Sequence, residues 1–156
     1  MAKALVILLT VAVLLAAAIG CNDDSPSNPT PTPTATGTNV GGTWTGSITV
    51  AGQTARMTWT LSQSNTTVTG PAVINLATGT VLLNGSLNGT MTGNTLAFTI
   101  SVAPGGIPAQ PTCVGQMTGT MTATIGATST LTGPMTVSSS TCVVPITNAT
   151  MTLTRS

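Results

Sequence analysis

The sequence predicts an all-β protein, an antiparallel up-and-down β-barrel of about eight strands, and three features of the chain point there. Beyond Gly41, apolar and polar residues alternate with a period of two over segment after segment, the mark of strands with one face in a core and the other in water. Threonine supplies about a fifth of the chain, and its branched Cβ suits a pleated surface and opposes helix. Most links, such as SQSN, TGNT and GATS, are short and turn-like, as hairpin-joined antiparallel neighbours require. A β-sandwich fits the same pattern, but only closure into a barrel removes exposed edges.

The strand segments are 42–50, 54–62, 66–74, 80–91, 95–102, 113–125, 129–137 and 147–154. In the first, Trp44, Gly46, Ile48 and Val50 share one parity against Thr43, Thr45, Ser47 and Thr49. The second repeats this with Ala55, Met57, Trp59 and Leu61 against Thr54, Arg56, Thr58 and Thr60. The fourth contains LLNGSLNG, where Asn84-Gly85 and Asn88-Gly89 each have hairpin chemistry. It reads as one long strand with bulges or bends at the glycines. The inward parity of the later segments carries Leu87, Met91, Phe98, Ile100, Met117, Met121, Leu131, Met135 and Met151. No stretch after the leader reads as helix.

Before the barrel, Lys3 and the apolar run ALVILLTVAVLLAAAI have the layout of a signal peptide, residues 1–20. The run is short for a membrane span of about 20 residues. Residues 21–40 begin with Cys21 and continue as a tether of alternating Pro and Thr. The tether has too little apolar surface to fold and is stiffened toward polyproline II. The barrel domain is then 41–156.

The cysteines number three, so one lacks an internal partner. In a meander whose first strand runs up, the sixth strand starts at the top, and the link from seventh to eighth is also at the top. Cys113 and Cys142 fall at these two places, and export favours their oxidation to a disulfide. Such a bridge closes a loop of about thirty residues, worth roughly 3–4 kcal/mol in the chain-entropy model. The odd residue is Cys21, which reads as a lipid anchor, as part of an uncleaved membrane anchor, or as incidental to a discarded peptide.

Composition excludes most chemistry. The chain has no His and no Tyr, its acids are Asp23 and Asp24 beside Cys21, and past Val40 the only charged side chains are Arg56 and Arg155. General acid–base and nucleophilic catalysis both need a titratable group, so the expectation is no enzyme, with no catalytic residue to name. Metal sites need His, thiolate or clustered carboxylate, so no metal and no cofactor is expected. Two isolated arginines and one Phe make no nucleic-acid track.

Two resemblances add to this. Ala18-Ile19-Gly20-Cys21 resembles the lipobox of bacterial lipoproteins, departing from it at Ala18 and Ile19. The likeness implies lipidation of Cys21 and a place in the bacterial cell envelope, with the leaflet open. Gly42, Trp44 and Arg155 resemble the pattern of calycins, the lipocalins and avidins, where Gly-x-Trp opens the first strand and a late basic residue packs across it. That likeness implies a Trp44–Arg155 pair at one end and a small apolar ligand at the other. Residues placed to line such a site are Trp59, Met91, Phe98, Met117, Met121 and Met135. The inward glycines, Gly46, Gly70, Gly85, Gly89, Gly115, Gly119 and Gly133, either clear space for that ligand or let a small barrel bend tightly on a filled core. The other reading is therefore a structural or interaction module that meets protein or polysaccharide through its Thr-rich outside and has no ligand.

Overall fold

A computed structural model describes residues 37–50, 52–143 and 148–156. The predicted signal peptide, Cys21 and most of the tether lie outside the described residues. The strands are β1 (Gly42–Val50), β2 (Gln53–Ser64), β3 (Thr67–Leu76), β4 (Val81–Thr92), β5 (Thr95–Val102), β6 (Gly115–Thr124), β7 (Thr130–Ser140) and β8 (Ala149–Arg155). Each pairs antiparallel with the next, and β8 returns to β1, so the sheet is a closed barrel in chain order and the sandwich alternative falls away.

Alternation dictates this closure. Along β2, Ala55, Met57, Trp59 and Leu61 are buried while Thr54, Arg56 and Thr60 are exposed, and the same rhythm runs through β4, β5 and β6. The six methionines beyond Met1 and all three aromatic residues of the chain, Trp44, Trp59 and Phe98, belong to the core.

LLNGSLNG lies within the single strand β4, as expected, but the irregularity does not fall at its glycines. Gly85 and Gly89 keep regular pairing with Ala72 and Val68. The register shifts between Ile74 and Asn75, where Leu82 is the extra residue of β4. Asn-Gly gives a hairpin only where two residues link two strands; here both neighbouring strands already hold the segment in place.

The two halves of the barrel echo one another. Val68-Thr69-Gly70-Pro71 in β3 corresponds to Leu131-Thr132-Gly133-Pro134 in β7, and Met57-Thr58-Trp59-Thr60 in β2 to Met117-Thr118-Gly119-Thr120 in β6. The geometry repeats as well. Pro71 and Pro134 have no N–H to donate, and the ladders to β2 and β6 are interrupted beside them. At these breaks a Cβ on Gly70 would collide with the Thr60 carbonyl oxygen, and one on Gly133 with that of Thr120. The glycines let the strands bend across each other, the device by which a small barrel closes.

Candidate functional site

Take the Trp44 end as the lower end. Trp44 and Arg155 face each other across the β1–β8 ladder. The guanidinium carbon of Arg155 stands 4.7 Å from the Trp44 ring centroid, and its Nη2 donates to the Asn39 carbonyl at 2.9 Å. The indole Nε1 of Trp44 donates to the Val40 carbonyl at 2.8 Å, and the Val40 N–H donates to Gln63 Oε1 at 2.7 Å. Val40 is fully buried, and the Thr38 N–H reaches the Gly93 carbonyl. The packed unit thus takes in Gly37–Val40, ahead of the first strand. This end is sealed by core packing.

The upper end is closed differently. The link from β5 to β6, residues 103–114, folds over the mouth and places Ile107 against the core. The Asn84 N–H donates to the Gly106 carbonyl at 2.7 Å. The disulfide joins Cys113 to Cys142, with Cα atoms 4.9 Å apart, and ties this loop to the β7–β8 link. Gln110 repeats the tie through its side chain: Nε2 donates to the Val143 carbonyl and Oε1 accepts from the Val143 N–H. Beneath the loop, bordered by Leu83, Val102, Ile107, Met117 and Val137, remains a space of about 20 Å³, the room of roughly one water.

The residues predicted to line a ligand site do converge on the interior. Trp59, Met91, Phe98, Met117, Met121 and Met135 are all buried there. Trp59 and Phe98 meet edge to face, ring centroids 5.0 Å apart. The clearances left by the inward glycines are taken by neighbouring side chains: Phe98 lies over Gly119, Ile100 over Gly85, Leu96 over Gly89 and Leu153 over Gly46. In this closed state the glycines serve curvature and packing rather than an open cavity.

Two features escaped the sequence. One is Trp59 Nε1, which is buried and has no hydrogen-bond partner. The other is an open depression of about 520 Å³ at the upper ends of β1 to β3, where Thr45, Ser47, Thr54, Arg56 and Asn75 meet. Asn75 Oδ1 in its wall also lacks a partner. Parity placed Thr45, Ser47, Thr54 and Arg56 on the outside and left Asn75 in the link after the third strand, but nothing in it showed that the five would border one groove. Among the described residues no three metal-ligating side chains come together.

Comparison with known proteins speaks to the fold. No family model and no curated protein matches the chain. A redesigned β-barrel, mFAP1, whose structure was solved bound to DFHBI, superposes with a TM-score of 0.51 at 20% identity, covering 74% of this chain and 94% of that one.

Proposed function

We propose that this protein is a non-catalytic lipoprotein, exported to the bacterial envelope and anchored through Cys21, whose barrel takes a small apolar ligand through its upper end. The carrying observation is the contrast between the ends: the lower is sealed by Val40, Trp44 and Arg155, the upper by a loop held at Gln110 and Cys113. The interior behind that loop is uncharged and rich in methionine, whose flexible thioether side chains repack around varied shapes. The calycin-like Gly42, Trp44 and Arg155 support the same assignment, as does the binding of DFHBI by the redesigned β-barrel mFAP1.

Titrating the exported chain with a hydrophobic fluorophore tests this. Saturable binding that is lost in Met121→Trp, a variant that fills the interior, is the expected result. Absence of saturable binding overturns it. A second reading, a filled module acting through its surface, is favoured by the occupied clearances over the inward glycines and by the polar groove around Arg56. Under that reading Arg56→Ala, not Met121→Trp, removes partner binding.

A further inference from the structure

Trp44 and Trp59 are direct cross-strand partners on β1 and β2, both fully buried and both facing the barrel interior. Their indole N–H groups fare differently. Trp44 donates to Val40, whereas Trp59 Nε1 has no acceptor. A buried indole N–H ordinarily finds a partner, because leaving one unmade forfeits its hydration without replacement.

The side chains around it offer no oxygen acceptor. The inward neighbours of Trp59 along β2 are Met57 and Leu61, those across the ladders are Trp44 and Ala72, and Phe98 meets it across the interior. None carries a side-chain oxygen. A Phe at this position would also bury an aromatic ring but would leave no unpaired donor, so the N–H is held at a loss unless something else accepts from it.

We infer that the ligand of this barrel is an apolar molecule bearing one uncharged hydrogen-bond acceptor, a carbonyl or ether oxygen, that receives the Trp59 Nε1 proton. The inference rests on the ligand-binding reading above. Acceptors on anions are disfavoured, because among the described residues no cation faces this part of the interior: Arg56 is outside and Arg155 is engaged with Trp44 and Asn39 at the lower end. Met57, next to Trp59 on the same face, and Phe98 provide the apolar walls, and the methionine yields space by changing rotamer.

The test uses two probes of matched shape, fluorenone with a carbonyl acceptor and fluorene without one, added to the full exported chain. Fluorenone is expected to bind about tenfold more tightly, the ratio that one neutral hydrogen bond of ~1.4 kcal/mol gives. Trp59→Phe brings the fluorenone-to-fluorene ratio to about one, whatever the change in affinity for either probe alone. The chain has two tryptophans, so a nitrogen–proton correlation spectrum shows two indole signals, and this readout needs no variant. Fluorenone should move the Trp59 signal downfield and fluorene should not, with the Trp44 signal steady under both. Equal affinities, or an unmoved Trp59 signal with fluorenone bound, overturn the inference while leaving ligand binding standing. Failure of both probes to bind overturns both.

Discussion

At the lower end of the barrel, Val40, Trp44 and Arg155 lie on one another and on the core, so closing that end and building the hydrophobic interior are one event. At the upper end the strands stop, and residues 103–114 cross the mouth with Ile107 packed against the core, held by Cys113 and Gln110. The first arrangement cannot open without loss of the core. The second depends on one loop and its ties. Closure by core and closure by tie predict different responses to mutation.

Removing the lower seal has the largest effect. Trp44→Ala empties a fully buried site and removes the ring under Arg155, and should cost about 3–5 kcal/mol in denaturant unfolding. The upper tie comes next: Cys113→Ser with Cys142→Ser releases a closed loop of separation 29 and should cost roughly 3–4 kcal/mol, while speeding probe entry. Arg155→Ala loses a cation–π contact and a hydrogen bond at the lower end and should cost ~1–2 kcal/mol with no change in probe entry rate. Gln110→Ala sharpens the contrast, since its two bonds to Val143 are exposed. It should cost under about 1 kcal/mol yet raise the association rate measured by stopped flow. Changing pH should do least. Past Val40 the chain has no Asp, Glu, His, Lys or Tyr, so folding exchanges no side-chain protons, and stability should be flat from about pH 5 to about pH 9.

How much of this was legible in the sequence depends on what each feature rests on. Strand number and inward parity follow from alternation, a local property, and hold from Trp44 to Met151. The sulfur pairing followed from counting strands up and down, because a meander fixes which links share an end. The glycines were ambiguous because lining a cavity and permitting a bend require the same absence of Cβ. Only the positions of the Thr60 and Thr120 carbonyls over Gly70 and Gly133, and of Phe98 over Gly119, decide between them. The bulge at Leu82 was invisible because it compensates the register between β3 and β4, which no single strand encodes. The unpartnered Trp59 N–H was equally hidden, since a hydrogen-bond deficit belongs to all the neighbours of a group together.

The most direct measurement labels the methionine methyl groups and follows them in a spectrum as fluorenone is added to the protein. Met117 borders the space under the upper loop, and Met91 packs beside Gly37 at the lower seal. Saturable shifts that are large at Met117 and Met121 and small at Met91 are the predicted result. Methyl signals that stay fixed at every position, or that move at Met91 while Met117 holds still, contradict entry of a ligand through the tied end.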